Sequence, residues 1–216
     1  MRKYEVAYLL PNGDEHSSTR LAPATPLFES AFMALARGTL IATPMGPVAI
    51  EDIQPGMMVS TLSDGPQPVV WKGATTIVPG APGQSEEASI LTRVPGDAWG
   101  MQRPSHDLLL GFGARILRAT QNILVPATTL IDGDTAFSVQ PPSPVRVFHL
   151  ALPRHACIQA SGINVETYHP GDIPRRYLRP EVQALFLSLF PHLDNLNDFG
   201  PLRVGRSGEE NHDMIG

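Results

Sequence analysis

Gly38-Thr39-Leu40-Ile41-Ala42-Thr43-Pro44-Met45-Gly46 runs on into Val48-Ala49-Ile50-Glu51-Asp52-Ile53-Gln54-Pro55-Gly56. The first half reads as a strand ending in a turn, the second as a short strand that closes on Pro-Gly. Glu51 and Asp52 fall at the corner, where carboxylates bond exposed backbone N–H groups. From Gly38 to Gly171 the same texture continues. Short runs rich in Val, Ile and Thr (39–43, 59–62, 69–71, 75–78, 108–110, 123–125, 145–150 and 156–160) alternate with Gly, Pro and Asp clusters. The pattern predicts an all-β fold.

Working outward, Tyr4, Val6, Tyr8 and Leu10 alternate with Glu5, Ala7 and Leu9 and run into Pro11-Asn12-Gly13-Asp14. That predicts a hairpin returning over about His16 to Leu21. Thr25-Pro26 has the form of a helix start, and Leu27, Phe28, Ala31, Phe32 and Leu35 predict a short helix reaching about Ala36. At the other end, Pro180-Glu181 opens a second helical pattern through Val182, Leu185, Phe186 and Leu189, closed by Pro191. The organisation expected is an N-terminal hairpin and helix (1–33), a β domain (34–171) and a C-terminal helical extension (172–216).

The 216 residues include 22 Pro and 19 Gly, well above average usage, so turns must come often. One cysteine, Cys157, excludes an internal disulfide framework and any zinc site built from cysteine pairs. The formal net charge of −5 argues against a nucleic-acid partner, which needs a basic face. No run of about 18 apolar residues is present to span a bilayer. Met1-Arg2-Lys3 is basic, but Glu5 and the turn at Pro11 interrupt the apolar stretch an export signal requires, so the cytoplasm is the default expectation.

The stretch from Gly38 to Gly56 resembles the opening of a Hint domain, the Hedgehog/intein autoprocessing fold, in its bacterial Hint_2 branch. Three further segments fit in order: Gln67-Pro68-Val69-Val70-Trp71-Lys72-Gly73, then Leu124 through Gly133, then Val145 through Gly171. The last carries His149-Leu150, Arg154-His155, Ser161-Gly162, Glu166-Thr167 and His169-Pro170-Gly171. The resemblance spans roughly residues 34–171 and implies an acyl shift: a cysteine opening the domain attacks the preceding carbonyl, and a histidine protonates the leaving nitrogen.

Carried over residue by residue, the resemblance puts Ala34 in the nucleophile position, where the family has Cys. For the histidine, one register runs through Pro104-Ser105-His106. The other aligns Arg103–Leu108 with the stretch before the motif and sets the motif on Gly111-Phe112-Gly113-Ala114-Arg115-Ile116-Leu117. The second keeps the Arg and the apolar pair in place and is preferred; it puts Ala114 in the histidine position. Pro153 and Met57 stand where the family has aspartates. The chain ends Asn211-His212-Asp213-Met214-Ile215-Gly216, without the His-Asn-nucleophile ending that splicing needs. The expectation is a Hint protein silent for autoprocessing, acting as a binding or assembly module with a protein partner and needing no cofactor.

Two other classes stay open. One is self-cleavage by a non-standard route through His106 or Cys157; the other is a metal- or small-molecule-binding β module. His155 is the best surviving match to a family site residue, and it and His106 are the candidate catalytic side chains. Cys157 reads more simply as a core residue, and His149, His155 and His169 as structural histidines, because their spacing fits no standard ligand motif. His106-Asp107 suggests an acid–base pair but sits better in a surface turn. Arg175, Arg176 and Arg179 form a basic approach to the last helix. Trp71 and Trp99 are expected in the core. Residues 32–35 extended in a cleft, rather than helical, would count against the silent reading.

Overall fold

A computed structural model describes residues 1–82, 84–171 and 178–207. Its strands are β1 (Arg2–Leu9), β2 (Glu15–Ala22), β3 (Leu35–Ala36), β4 (Leu40–Thr43), β5 (Gly46–Ala49), β6 (Met58–Ser60), β7 (Pro66–Pro68) and β8 (Trp71–Ile77). There follow β9 (Leu91–Val94), β10 (Leu108–Leu110), β11 (Arg115–Arg118), β12 (Ile123–Pro126), β13 (Phe137–Val139), β14 (Val145–Ala151), β15 (Cys157–Ala160), β16 (Ile163–Glu166) and β17 (Gly205–Arg206). Two helices, α1 (Pro26–Glu29) and α2 (Pro180–Leu187), complete the regular structure together with short 3-10 turns.

The strands form an eight-stranded sheet in the order β13-β9-β10-β3-β14-β8-β1-β2 and a seven-stranded sheet in the order β17-β12-β11-β16-β15-β4-β5. β6 and β7 pair as a small ribbon. Between the sheets lies one apolar cluster with Ala34, Leu35, Ile41, Ile50, Ile53, Val59, Ala114, Phe148, Leu150 and Ile158. The predicted Glu51 corner forms: its carboxylate accepts the Gly38 N–H at 2.8 Å, and the buried Lys72 ammonium donates to the carbonyls of Glu51 and Ile53, each at 2.7 Å.

The N-terminal hairpin joins the larger sheet, because β1 pairs with β8 from Glu5–Ala74 to Tyr8–Trp71. A second apolar cluster draws on both ends of the chain: Tyr4, Val6, Phe28 and Phe32 meet Trp71, Tyr168, Phe186, Phe190 and Phe199. Trp71 is its hub. The indole donates to the Leu189 carbonyl at 2.7 Å and lies 4.7 Å from the Phe190 ring, so the helical extension is tied to the β domain by aromatic packing.

The first predicted helix is corrected. α1 is a single turn that ends at Glu29; a turn follows, and Leu35–Ala36 enter the sheet between β10 and β14. Sheet pairing overrides the helical spacing, since Leu35 opposes both Leu110 and Phe148. Phe28, Ala31 and Phe32 join the aromatic cluster, whereas Ala34 and Leu35 point into the inter-sheet core. The apolar periodicity thus served two different cores.

Candidate functional site

The peptide between Met33 and Ala34 is the point on which the resemblance turns, and every main-chain group around it is engaged. The Met33 N–H donates to the Glu29 carbonyl at 3.0 Å, and the Ala34 N–H to the Phe148 carbonyl at 3.2 Å. The Met33 carbonyl accepts the Gly113 N–H at 2.9 Å, and the Ala34 carbonyl accepts the Gly111 N–H at 2.9 Å. The peptide therefore lies outside the helix, contrary to the sequence reading, yet it is buried rather than open in a cleft: Ala34 is 0% exposed.

The Gly111-Phe112-Gly113-Ala114 loop sits on this peptide because its glycines have no side chains. A Cβ on Gly111 would stand 2.3 Å from the Met33 oxygen, and one on Gly113 would stand 2.3 Å from the Ser30 oxygen. Only glycine allows that approach. Ala114, 0% exposed, belongs to the same apolar cluster as Ala34. Beside Gly113 opens a cavity of about 260 Å3, lined among others by Ser30, Arg115, His149, Glu166, His169 and Arg206.

His149 is buried between two carbonyls, with Nδ1 3.4 Å from Ser30 O and Nε2 3.4 Å from Glu166 O. Burial pushes its pKa down to about 4. A neutral imidazole has one N–H, so it serves one of these carbonyls at a time.

His155, a candidate catalytic side chain of the sequence reading, sits in a different environment. Its Nδ1 accepts the Arg203 N–H at 3.1 Å, which leaves Nε2 as the protonated nitrogen, 2.7 Å from Glu166 Oε1. The same oxygen takes Arg206 Nε at 2.9 Å, and Arg206 also donates to the His169 carbonyl at 2.7 Å. Burial opposes the Glu166 charge, but the His155 hydrogen bond and the Arg206 guanidinium outweigh it and hold the carboxyl below its usual range. His169 donates from Nε2 to Gly200 O at 3.0 Å and accepts the Gly171 N–H on Nδ1 at 3.0 Å. Burial lowers its pKa to about 4. These side chains latch residues 200–206 onto the β domain.

His106 lies away from the Met33–Ala34 peptide, at the corner between β15 and β16. Its Nδ1 is 3.0 Å from Ser105 Oγ and its Nε2 is 3.2 Å from Ser161 Oγ. Asp107 does not pair with it. That carboxylate takes the Gly96 N–H at 3.0 Å and Arg93 at 2.6 and 2.8 Å. Cys157 is buried on β15 opposite Glu166, and burial pushes its thiol up to about 12.

Trp71 is fully buried, and Trp99 is partly buried with its indole N–H on Thr135 Oγ at 3.0 Å. Arg175 and Arg176 lie outside the described residues. Among those described, no three His, Cys, Asp or Glu side chains converge as a metal site, and no helix is long and apolar enough to cross a membrane. Sequence reading missed Arg206 and Arg203 altogether. Glu166 and Ser161 enter that reading only within the Val145–Gly171 segment. The polar run Ser161-Gly162 and the buried-strand acid Glu166 were the available signals.

A family model described as Hint domain matches residues 33–172. Among solved structures, the solution structure of a bacterial intein-like domain from Clostridium thermocellum is 18% identical, covering 63% of this chain and 99% of that chain with a TM-score of 0.43. The crystal structure of the gp41-1 intein is 12% identical, covering 62% and 98%, with a TM-score of 0.43. No curated protein matches in sequence. With its Met33–Ala34 peptide at the start of the matched segment, the chain belongs to the Hint-domain family.

Proposed function

We propose that this protein is a Hint-domain module silent for the acyl shift, retained for its shape and acting by binding or assembly with a protein partner. The observation that carries the reading is that Ala34 and Ala114 are both fully buried methyl groups in one apolar cluster. An acyl shift needs a nucleophile on one side of that bond and a proton donor on the other. In this reading Ala34 stands in the nucleophile position and Ala114 in that of the histidine, and neither side chain can do either task. The Met33 carbonyl keeps one polarising donor, the Gly113 N–H, which without a nucleophile leaves the bond intact.

Reinstating both groups tests the assignment. Ala34→Cys with Ala114→His is expected to yield a hydroxylamine-sensitive bond between residues 33 and 34, read as two fragments by mass spectrometry. Either single variant should give far less. A folded double variant that stays whole in hydroxylamine would remove these two positions from the family's machinery.

A further inference from the structure

We propose that Ser161, His106 and Ser105 form a serine–histidine hydrolytic site for small carboxylic esters, independent of the Met33–Ala34 peptide. Two oxygens and two nitrogens line up in order: Ser161 Oγ is 3.2 Å from His106 Nε2, and His106 Nδ1 is 3.0 Å from Ser105 Oγ. A nucleophile within reach of a base, with the base oriented by a third group, is the arrangement hydroxyl nucleophiles need. With Nδ1–H donated to Ser105, Nε2 is the acceptor facing the Ser161 hydroxyl. Ser105 is a positioning residue in this scheme, taking the place that Asp107 cannot fill.

Three features of the corner support a reacting carbon there. Ser161 holds a positive φ of 48° on the tight turn between β15 and β16, and its Oγ takes the Leu40 N–H at 3.2 Å, leaving one lone pair. Gly162 follows it, and among the described residues the Gly162 N–H donates to no protein acceptor, so it is available to a developing oxyanion. Both residues line a cavity of about 300 Å3, with Leu40, Ala42, Thr43, Gln102 and Gln159 around it. That volume, with Leu40, Ala42 and Pro47 as its apolar part beside the polar Thr43, Gln102 and Gln159, suits a short acyl group.

The chemistry closes without a co-reactant other than water. Ser161 Oγ attacks the ester carbonyl while its proton passes to His106 Nε2. The tetrahedral intermediate collapses, the C–O bond to the alcohol breaks, and the alcohol leaves with the proton from His106. Water then gives its proton to His106, adds to the acyl-serine, and releases the carboxylic acid and the free Ser161 hydroxyl.

A fluorophosphonate probe on the folded chain tests this directly. The expected result is a single adduct on Ser161, together with hydrolysis of p-nitrophenyl acetate that falls about a hundredfold in His106→Gln. Ser105→Ala should shift the pH midpoint of labelling while leaving the melting temperature unchanged. No adduct on the folded protein, an adduct on another residue, or full labelling of His106→Gln would overturn the proposal. The unaltered chain carries the test even if Ser161→Ala fails to fold. Because the Hint reading is tested by cleavage at residue 33, the two outcomes are separable.

Discussion

The Gly113 N–H meets the Met33 carbonyl at 2.9 Å, and a Cβ on Gly113 would stand 2.9 Å from that same oxygen. One contact thus fixes both the hydrogen bonding of the Met33–Ala34 peptide and the identity of the residue facing it. Gly113→Ala would also press on Ser30 O at 2.3 Å. Overpacking of this kind costs about 1–3 kcal/mol, and Gly111→Ala should behave alike. Urea denaturation checks it; unchanged midpoints would mean that the loop does not rest on the peptide.

Glu166 holds two buried groups, His155 and Arg206. Removing it in Glu166→Ala leaves the guanidinium without that charge partner, at an expected cost of about 3–5 kcal/mol. Removing Arg206 as well should recover part of the loss. A double-mutant cycle with no coupling between the two positions would contradict the latch.

Acid should weaken the fold through its buried histidines. His149, His169 and His192 each have a pKa lowered by burial from 6.5 to about 4. The unfolded chain therefore binds more protons between pH 4 and 6.5, and stability rises with pH across that window and levels off above it. Glu29, whose burial raises its carboxyl above 4.5, acts in the opposite sense, one group against three. Denaturation midpoints measured every half unit from pH 4 to 8 give the profile, and a flat line below 6.5 would rule this out.

Cys157, buried with a thiol at about 12, should resist iodoacetamide at pH 8 in the native state and react fully in denaturant. Rapid native labelling, followed by intact mass, would restore it as a candidate nucleophile.

Much of the β fold was legible in the sequence, for a physical reason. Tyr4, Val6 and Tyr8 alternate because one face of β1 is buried and the other is not, and the Asn12-Gly13 turn declares itself with Gly13 at a φ of 88°. The run from Phe28 to Leu35 misled because helical spacing arose from two clusters on either side of a turn. β9, β11 and β13 carry no clear alternation and were not singled out as strands. The site was legible only through partners remote in the chain. Nothing local to Gly111 and Gly113 shows what they must clear, which only Met33 and Ser30 reveal, and Arg206 has no local signal at all.

The proposed silence of the Met33–Ala34 bond toward acyl shift is tested on the unaltered protein. Purified chain, incubated with and without dithiothreitol and with hydroxylamine, should keep one undivided mass throughout. A fragment pair that breaks between residues 33 and 34 would contradict the account.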